Sequence, residues 1–515
     1  MSGNIPPVIR PSRVEPRPIG ELLTRIDCEI AGPAEGVSVT GVTVMTREIQ
    51  PGDLFVAVRG ARQHGAEFVD EAVSKGAVAV LTDREGAELA SGARVPLVIV
   101  DSPRAVLGEV ANWLFRTDDT PPLFLGVTGT NGKTSTVYLL EAILRQLGVV
   151  TGLSSTAERH IADETVVSRL TTPEASELHA LIARMKEKSV GAVAIEVSAQ
   201  ALTHNRVAGI VFDVAGFTNL SHDHLDDYAD MDEYFRAKLE FFRPEIARRG
   251  VVSLDSEWGA RVVAESTIPV TTISSRGNPD AWWQVTITDE SADSVAFTLT
   301  SRDGLSLATR EPVIGAHMAA NAGLAIVMLV EAGFDFDSIA AALERDNGVR
   351  AYLPGRTERV SGERGPNVFV DFGHSPDAFE HTLGAVRKFT RGRTIMVFGA
   401  DGDRDATKRF DMGRISAEGC DILVITDHHP RFEDPASIRE QLLVGARSVA
   451  NGPEIHEASP PESAITLAVS LAREGDSILW AGPGHQDYRD IKGERTVYSA
   501  RDLARSALKD AGWPL

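Results

Sequence analysis

Short apolar runs alternate along most of the chain with segments in which apolar residues recur at helical spacing. The segments predicted to be buried strands are Pro122–Leu125, Gly191–Ile195 and Phe212–Phe217, because nearly continuous apolar runs of this length are typical of parallel sheets. The alternation therefore predicts a largely parallel α/β sheet in the middle of the chain. A second alternation begins after Leu353-Pro-Gly355 and predicts a separate doubly wound domain, with strands at Val368–Val370, Thr394–Phe398, Ile422–Ile425 and Ser477–Trp480.

Two regions outside these alternations have patterns of their own. In the first ~120 residues, predicted strands at Asp53–Val58 and Ala77–Leu81 flank the helical spacing of Gly65–Lys75, which indicates a small α/β domain. Between about residues 271 and 314, β-branched and polar residues predict added antiparallel strands, with turns at Gly277-Asn278 and Asp303-Gly304.

Composition narrows the class of protein. A chain of 515 residues exceeds what one hydrophobic core usually organises, so several domains are expected. The 52 basic and 73 acidic residues leave a net charge of −21, and an acidic surface repels a phosphate backbone, so no nucleic-acid partner is expected. Cys28 and Cys420 form no C-x-x-C pair, which argues against a disulfide framework or a thiolate zinc site.

The sequence also gives no sign of membrane insertion. No apolar segment approaches the ~18 residues of a membrane span, and the sequence after Met1 has no basic stretch leading into an apolar one. We therefore expect a cytoplasmic protein without a membrane span or a signal peptide. We also expect a monomer.

The glycine-rich stretch GVTGTNGKTS follows the first strand of the middle region and has the composition of a phosphate-binding loop. Gly129 and Gly132 let the backbone turn so that its N–H groups converge on an anion, with the N-terminus of the next helix behind them. Lys133 supplies a charge for the outer phosphates and Thr134 a hydroxyl for Mg²⁺. Val127 stands where the strict Walker pattern has its first glycine. A simple glycine turn with a surface lysine is the alternative.

Acidic and histidine side chains follow the next two predicted strands. Glu196 comes directly after the strand ending at Ile195, at the edge where parallel sheets bind ligands, and could be an acidic Mg²⁺ ligand. A neighbour of a helix N-cap is the alternative role for this residue. The next strand leads into Ser221–Asp226, SHDHLD, which indicates a polar site; a solvated loop and a zinc site are its alternatives, and the lack of cysteine disfavours zinc.

These motifs occur together in an order found in one family. The sequence resembles the Mur ligases, which build the peptidoglycan stem peptide, and is most similar to the MurE group, which adds the third residue of that peptide. The resemblance covers nearly the whole chain. It rests on the glycine loop and on the following motifs: Pro51–Ala57, Glu196-Val-Ser198, Phe217–Leu220 with Asp223–Asp226, Ala237-Lys238, Pro354–Glu358, Asp371–Asp377, and Gly402–Asp405 with Lys408-Arg409.

The resemblance implies an α/β protein of three domains. Residues 1–120 would bind the UDP-sugar, residues 121–352 would be a central ATPase with a P-loop-type parallel sheet and an added antiparallel part, and residues 353–515 would be a Rossmann-like domain that presents the incoming amino acid. ATP and Mg²⁺ are the implied cofactors, and a UDP-N-acetylmuramoyl dipeptide and an amino acid are the implied substrates. ATP would convert the dipeptide carboxylate into an acyl phosphate, from which the amine displaces phosphate.

The resemblance also assigns roles in the nucleotide and metal site. Lys238 matches a family lysine that reacts with CO₂ to become a carbamate, which can bind Mg²⁺ through oxygen where an ammonium cannot. The implied catalytic residues are Lys133, Lys238, Arg356 and Asp371. The implied metal ligands are Thr134, Glu196, His224 and Lys238. Nucleotide contacts are implied for Gly129, Thr130, Asn131, Gly132, Lys133, Thr134, Ser135, Asn321 and Arg356.

The implied substrate contacts include one pocket that departs from the family. Contacts to the muramyl peptide are implied for Thr171, Thr172, Ser198 and Arg206. Members that add diaminopimelate have Asp-Asn-Pro-Arg and a later Gly-Lys-Gly-His-Glu. This chain instead has His428-His429-Pro-Arg431 and Gly482-Pro-Gly-His-Gln486. It keeps Arg404, and it has Ala400-Asp401 where two glycines stand in the family that it resembles. The arginines can still bind a carboxylate. Because both acidic groups for a distal ammonium are replaced, meso-diaminopimelate, L-lysine, L-ornithine, diaminobutyrate and an uncharged amino acid all stay open.

Two other functions fit parts of the pattern. A related ligase of secondary metabolism, or of another polymer such as folylpolyglutamate, would share the central motifs, although the amino-terminal domain argues against the folate version. A nucleotide-binding switch without turnover would keep the fold, but it would not need Lys133, Glu196, His224, Lys238 and Asp371 together.

Overall fold

The computed structural model of the protein describes residues 9–60, 63–168, 170–223 and 225–515. Three sheets dominate it, and they lie in sequence within residues 29–99, 123–311 and 358–481. Among the described residues, none of the helices is both long and apolar enough to cross a membrane.

The first sheet has five strands in the order β2-β7-β6-β5-β4, parallel except for the β2–β7 pair. The predicted helix at Gly65–Lys75 begins as a 3-10 helix, Gly65–Phe68, and continues as α1. The strands are β1 Arg17–Pro18, β2 Glu29–Ala31, β3 Ser38–Val39, β4 Gly41–Thr43, β5 Asp53–Ala57, β6 Ala79–Thr82 and β7 Leu97–Ile99. The helices are α1 Val69–Ser74, α2 Arg84–Leu89 and α3 Pro103–Phe115, with further 3-10 turns at Ile19–Thr24 and Thr46–Glu48.

The central sheet has eleven strands in the order β11-β10-β9-β12-β8-β13-β14-β15-β16-β17-β18. Its strands are β8 Leu123–Thr128, β9 Thr151–Ser154, β10 Glu158–Ile161, β11 Glu164–Val167, β12 Ala192–Glu196, β13 Phe212–Phe217, β14 Ala247–Ser253, β15 Val270–Ser274, β16 Trp283–Glu290, β17 Val295–Ser301 and β18 Ser306–Glu311. Its helices are α4 Lys133–Gln146, α5 Ala175–Glu187, α6 Ala199–Thr203, α7 Met231–Leu239, α8 Glu257–Glu265, α9 Ala316–Glu331 and α10 Phe336–Arg345, with a 3-10 turn at Glu240–Phe242.

The antiparallel extension of this sheet begins one strand later than predicted. β15 pairs in parallel with β14 and, at Ile273 and Ser274, with β16, so the prediction of a turn between antiparallel strands at Gly277-Asn278 is wrong. The Asp255 carboxylate, after β14, accepts the backbone N–H of Ser275 at 3.0 Å. This bond holds the segment after β15 beside the loop after β14, so the chain does not turn back directly into an antiparallel strand. The predicted turn at Asp303-Gly304 does join the antiparallel strands β17 and β18.

The third sheet has the order β19-β20-β24-β21-β22-β23, and it is parallel from β20 to β23. Helices pack on both of its faces, as expected for a Rossmann-like domain. The strands are β19 Glu358–Arg359, β20 Asn367–Asp371, β21 Thr394–Phe398, β22 Ile422–Ile425, β23 Glu454–Glu457 and β24 Ser477–Ala481, with a hairpin of β25 Tyr488–Ile491 and β26 Glu494–Val497. The helices are α11 Pro376–Phe389, α12 Arg409–Gly419, α13 Pro435–Arg447, α14 Pro461–Leu471 and α15 Ala500–Asp510.

Helix α3 joins the first domain to the central one. Its Trp113 and Leu114 share a hydrophobic core with Ala180 and Ala183 of α5. At Gly108 the two backbones meet so closely that an added Cβ would lie 2.2 Å from the carbonyl oxygen of Ala208. The first sheet is therefore attached to the central domain through an apolar, tightly packed contact.

Candidate active site

A cavity of about 610 Å³ lies between the central and the carboxy-terminal domains. The segments after β8 and β13 and the end of β12 line one side, and the end of β20 and the segments after β21 and β24 line the other. Both sheets thus present the carboxyl ends of parallel strands, which is where open α/β sheets bind ligands. Most of the predicted site residues border this cavity.

The glycine loop has the backbone geometry predicted for it. Gly129 and Gly132 have φ values of 147° and 86°, and α4 begins directly after them at Lys133. Asn321 of α9 lies against the loop, since a Cβ on Gly132 would be 2.6 Å from its Oδ1. The backbone N–H groups of Thr130 and Asn131 already donate to Asn219, each at 2.9 Å, so the N-terminus of α4 is the part of this segment that can offer N–H groups to a phosphate.

Two lysines meet beneath this loop. Lys133 Nζ donates to the carbonyl oxygens of Gly129 at 2.9 Å and Thr130 at 2.8 Å. Lys238 of α7 is only 1% exposed; its Nζ donates to the same Gly129 oxygen at 2.9 Å and lies 4.6 Å from the ring centroid of Tyr234. Burial lowers the pKa of Lys133, and burial together with the charge of Lys133 lowers the pKa of Lys238 well below its ordinary value.

Glu196 and Thr134 bring oxygen atoms that could hold a metal ion to the same cavity. Glu196 is fully buried at the end of β12, where Thr156 donates its backbone N–H to Oε1 at 2.7 Å and its hydroxyl to Oε2 at 3.0 Å. The Thr134 hydroxyl accepts a hydrogen bond from Arg356 at 2.7 Å. Carboxylate and hydroxyl oxygens are hard donors that suit Mg²⁺. His224, the remaining predicted ligand besides Lys238, lies outside the described residues.

Arg356 and Asp371 reach the cavity from the carboxy-terminal side. The Arg356 guanidinium stacks 4.3 Å from the ring centroid of Phe372, and burial lowers its pKa. Asp371 accepts the backbone N–H groups of Thr357 at 2.7 Å and Gly373 at 2.6 Å, which fixes its carboxylate at the end of β20.

Polar side chains connect the two halves of the cavity. Asn131 of the glycine loop donates to Asp377 of α11 at 2.8 Å. Lys408 donates to Asp223 at 2.8 Å, and both of these side chains are largely buried. These bonds bring the carboxy-terminal domain against the phosphate loop.

The residues predicted to contact the muramyl peptide fall into two groups. Thr171 and Ser198 border the cavity. Thr172 lies behind them and donates its hydroxyl to the Glu196 carbonyl at 2.7 Å, while Arg206 pairs with Glu174 at 3.1 Å. Thr172 and Arg206 thus support the wall of the cavity in this structure.

The predicted acceptor residues gather at the other end of the cavity. Arg404, His428, Arg431, Gly482 and Gln486 all border it. His429 is turned away: its Nδ1 accepts the backbone N–H of Asp490, and its Nε2 donates to Gln486 Oε1, both at 2.9 Å. Burial and the neighbouring His428 lower the pKa of His429 to about 4, so it is neutral.

Sequence reasoning missed three residues of this site. Thr156 orients Glu196, Asp377 holds Asn131, and Asp401 pairs with His428. Asp401 gave a signal, because it stands in a position where the family has glycine. Thr156 gave none, since it follows a strand that the apolar pattern did not reveal.

Comparison with known proteins shows which family the chain is similar to. The description "Mur ligase family, catalytic domain" matches residues 38–113, "Mur ligase middle domain" matches 127–329, and "Mur ligase, glutamate ligase domain" matches 355–484. The UDP-N-acetylmuramyl-tripeptide synthetase of Leifsonia xyli subsp. xyli is 57% identical over 513 residues, with 100% of each chain covered. The UDP-N-acetylmuramoyl-L-alanyl-D-glutamate--2,6-diaminopimelate ligase of Streptomyces coelicolor is 42% identical, covering 97% of this chain and 98% of its own.

A solved structure of a UDP-N-acetylmuramoyl-L-alanyl-D-glutamate--2,6-diaminopimelate ligase is similar in fold. It has 25% sequence identity and a TM-score of 0.64, covering 94% of this chain and 98% of its own. The three family descriptions match in the order in which the three sheets occur. Full-length relatives at this identity, with the phosphate loop and the interdomain cavity, show that the chain belongs to the Mur ligase family.

Proposed function

We propose that this protein is an ADP-forming amide ligase of peptidoglycan synthesis that adds the third stem-peptide residue to UDP-N-acetylmuramoyl-L-alanyl-D-glutamate. The observation that carries the proposal is the interdomain cavity, in which a phosphate loop with two lysines faces a pocket lined by arginines. The names of the two relatives support it, since one is a tripeptide synthetase and the other a ligase of this dipeptide nucleotide.

The proposed reaction has two stages. A carboxylate does not acylate an amine at a useful rate, so its oxygen first attacks the γ-phosphorus of ATP, ADP leaves, and an acyl phosphate forms. The neutral amine of the amino acid then attacks the acyl carbon through a tetrahedral intermediate, and phosphate and a proton are released with the amide. Phosphoryl transfer is accelerated mainly by positioning and electrostatic stabilisation, which Lys133 and Arg356 can supply.

The same residues would change partners when nucleotide binds. Lys133 now donates to its own loop, so its ammonium is already within reach of any phosphate held by that loop. Arg356 now donates to Thr134 in the first turn of α4, so its guanidinium would lie close to phosphates held by the glycine loop. Closure of the carboxy-terminal domain over them would exclude water from the acyl phosphate.

The residues present fit Mg²⁺ as a cofactor. Glu196 and Thr134 would hold it, and Mg²⁺, when bound, offsets negative charge on the phosphates. We infer that Lys238 becomes a third ligand after its neutral amine combines with CO₂ to give a carbamate and a proton. Burial supports this step because it lowers the pKa of Lys238 and so favours the amine.

The three domains would have different roles in the reaction. We propose residues 1–120 as the UDP-sugar domain, residues 121–352 as the activating domain and residues 353–515 as the acceptor domain. A cavity of about 340 Å³ on the first sheet, lined by Met45, Arg47 and Phe55 among others, supports nucleotide-sugar binding there.

The test is phosphate release from ATP with UDP-N-acetylmuramoyl-L-alanyl-D-glutamate and a panel of amino acids, each component being omitted in turn. We expect release only with all three, and a product whose mass is the sum of both substrates less one water. Release that needs neither the dipeptide nucleotide nor an amino acid would overturn the proposal. Release with another carboxylate substrate, but not with the muramyl dipeptide, would favour a ligase of another polymer.

A further inference from the structure

The turn between β9 and β10 brings one residue, Thr156, against the Glu196 carboxylate. Ser154 of β9 lies opposite Ile195 of β12, so the residues that follow these two strands run side by side at the cavity. Thr156 donates its backbone N–H to Oε1 of Glu196 at 2.7 Å and its hydroxyl to Oε2 at 3.0 Å. Because two donors of one residue hold the two oxygens of the carboxylate, the orientation of the carboxylate is fixed.

The turn that contains Thr156 is itself held in place. The hydroxyl oxygen of Ser155, a fully buried residue, accepts the backbone N–H groups of Ala157 at 3.1 Å and Glu158 at 3.0 Å. The same hydroxyl donates to the carbonyl oxygen of Glu158 at 2.8 Å, and the Ser155 N–H donates to that oxygen at 3.0 Å. Thr156 therefore has the fixed position that a residue needs if it is to orient a metal ligand.

Two cationic side chains balance the charge of Glu196 in this structure. The charge of Glu196 acts to raise the pKa of Lys133 and of Arg356, against the burial that lowers both. On the proposed function, these two side chains turn to phosphate groups when a nucleotide binds, and the free lone pairs of Glu196 then serve a divalent cation. Among the described residues, both hydrogen bonds to the Glu196 carboxylate come from Thr156, so neither has to break during this exchange.

The Thr156 hydroxyl also reaches a residue predicted to contact the muramyl peptide. Its oxygen lies 3.0 Å from Oγ1 of Thr171, the same distance as from Oε2 of Glu196. A hydroxyl has a single proton, which an ionised carboxylate attracts more strongly than a neutral hydroxyl does. A cation bound to Glu196 reduces that attraction, so the proton turns toward Thr171 and strengthens the hydrogen bond that Thr171 can donate to a ligand. The two binding events are thereby linked through one hydroxyl group.

A purely structural role of Thr156 is the rival interpretation. Burying a carboxylate costs free energy unless it is hydrogen-bonded, and Thr156 would then only satisfy Glu196. Thr151 provides such a case at the start of β9, where its hydroxyl donates to the buried carboxylate of Glu141 at 3.1 Å. That pair lies away from the cavity, whereas Thr156, Thr171 and Glu196 all border it. Their position at the cavity favours a role in ligand binding.

We propose that Thr156 is a positioning residue that holds Glu196 in place for a divalent cation and couples cation binding to binding of the muramyl peptide through Thr171. It keeps the carboxylate in one orientation while Lys133 and Arg356 leave it for phosphate. The coupling makes the protein bind the cation more tightly when the dipeptide nucleotide is present. The inference rests on the proposed function and deepens it by naming a residue that none of the implied contacts includes.

The test measures binding of a divalent cation directly. Mn²⁺ binds to the same oxygen ligands as Mg²⁺, and its electron paramagnetic resonance signal distinguishes free from bound metal. The ADP-bound protein is titrated with Mn²⁺ with and without a saturating concentration of UDP-N-acetylmuramoyl-L-alanyl-D-glutamate, and the Mn²⁺ that the nucleotides bind alone is subtracted. We expect the dipeptide nucleotide to tighten Mn²⁺ binding to the wild type by about fivefold or more.

Variants separate the two roles of Thr156. Thr156→Val keeps the shape and the backbone N–H but removes the hydroxyl, and it should weaken Mn²⁺ binding at least about tenfold and remove most of the effect of the dipeptide nucleotide. Thr156→Ser restores the hydroxyl and should retain both properties. Thr171→Val should reduce the effect of the dipeptide nucleotide alone. Thr151→Val is the matched control: it loses an equivalent bond, to Glu141, and should bind Mn²⁺ like the wild type.

Turnover provides a second readout. In phosphate release with all three substrates, Thr156→Val should need at least about tenfold more Mg²⁺ than the wild type for half of its maximal rate, and its rate should recover as Mg²⁺ is raised. The urea midpoints of Thr156→Val and Thr151→Val show how much stability each lost bond contributes. A rate that added Mg²⁺ does not restore, together with wild-type affinity for Mn²⁺, would support the structural role and overturn the proposal.

The remaining outcomes separate this inference from the proposed function. Equal losses of Mn²⁺ affinity in Thr156→Ser and Thr156→Val would overturn the positioning role of the hydroxyl. An unchanged effect of the dipeptide nucleotide in Thr156→Val and Thr171→Val would overturn the coupling. Either result, obtained with a wild type that releases phosphate only with all three substrates, contradicts this inference and leaves the proposed function standing. A wild type that releases no phosphate under those conditions contradicts both.

Discussion

Lys133 and Lys238 donate to one and the same atom, the carbonyl oxygen of Gly129, each at 2.9 Å. Two ammonium groups that share an acceptor repel each other, and the burial of Lys238 weakens the screening of that repulsion by solvent. Deprotonation of one lysine relieves that repulsion. Lys238, which is the more deeply buried of the two, is thereby favoured as a neutral amine, the form that combines with CO₂.

The first prediction concerns Lys238. We expect Lys238→Ala to lower turnover by about 100-fold or more, because it removes the proposed carbamate, a negatively charged group, from the phosphoryl-transfer site. Small carboxylic acids should restore part of the rate by replacing the carbamate oxygens, and ADP should still bind. Phosphate release and calorimetry measure these effects. Lys509→Ala, on the exposed face of α15, is the control and should keep the wild-type rate. Full turnover by Lys238→Ala would contradict the carbamate role.

A second prediction concerns the glycine loop. Gly132→Ala should weaken ADP binding at least about tenfold, because its Cβ would lie 2.6 Å from Asn321 Oδ1 and must move either the loop or that side chain. Gly148→Ala is a matched control: its φ of 82° is close to the 86° of Gly132, but an added Cβ meets nothing within 4 Å. Both variants bear a backbone cost of about 1 kcal/mol. Calorimetric titration with ADP should show weaker binding for Gly132→Ala alone.

His160 should make stability depend on pH. It lies between Glu141 at 2.8 Å and Glu158 at 3.2 Å. Burial acts to lower its pKa, but the two carboxylates raise it to about 9. Because this is above the unfolded value of about 6.5, the stabilisation is fully present below pH 6.5 and is lost as pH rises through about 9. We expect a loss of roughly 2–3 kcal/mol.

This loss would be detected by amide hydrogen exchange in α4 and β10, measured over a range of urea concentrations at several pH values. His160→Gln should remove the dependence between pH 6.5 and 9. His456→Gln, which alters a histidine paired with Glu454 in another domain, should leave it unchanged. A His160→Gln profile that still falls over that range would show that another group is responsible.

Glu311 should act in a different pH window. It is fully buried at the end of β18, neither carboxylate oxygen has a hydrogen-bond partner among the described residues, and burial raises its pKa well above the ordinary value. The unfolded chain releases the proton near pH 4.5 while the folded chain keeps it, so stability falls as pH rises from about 4.5 to the raised pKa.

Glu311→Gln should therefore unfold at higher urea than the wild type at pH 8 and differ little from it at pH 4. The amide keeps the shape and a buried polar group but removes the cost of ionisation. Glu344→Gln, an exposed carboxylate on α10, serves as the control and should show no such difference between the two pH values. Equal midpoints for Glu311→Gln and wild type at pH 8 would contradict the prediction.

The buried strands could be predicted from the sequence, and the short amphipathic ones could not. Phe212–Phe217 and Thr394–Phe398 form strands over the predicted residues, because both faces of the sheet are covered and each run is apolar except for one residue, Asp213 or Thr394. Glu158–Ile161 and Glu454–Glu457 contain mostly polar residues and lie near or at sheet edges, so no apolar run marked them. The direction of Val270–Ser274 depends on pairing with β14, which is a tertiary property rather than a local one.

Site residues could be predicted where one motif contains them, and not where two distant loops meet. The glycine loop carries its chemistry within a single segment, so Lys133 and Thr134 were assigned from local spacing. The pair of Asp401 and His428 depends on β21 and β22 lying side by side. Their separate departures from the family pattern were visible in the sequence, but their contact was not.

The close contact at Gly108 has a consequence for which precursor can be used. Because α3 presses against the Ala208 carbonyl and shares a core with α5, the cavity proposed for the sugar nucleotide and the phosphate loop lie at a fixed distance from each other. A precursor with one stem residue too few or too many would hold its reactive end short of the loop or beyond it. If the proposed function is correct, this rigid connection selects the precursor by the length of its stem peptide. The order in which the residues are added would then depend on length as well as on recognition of side chains.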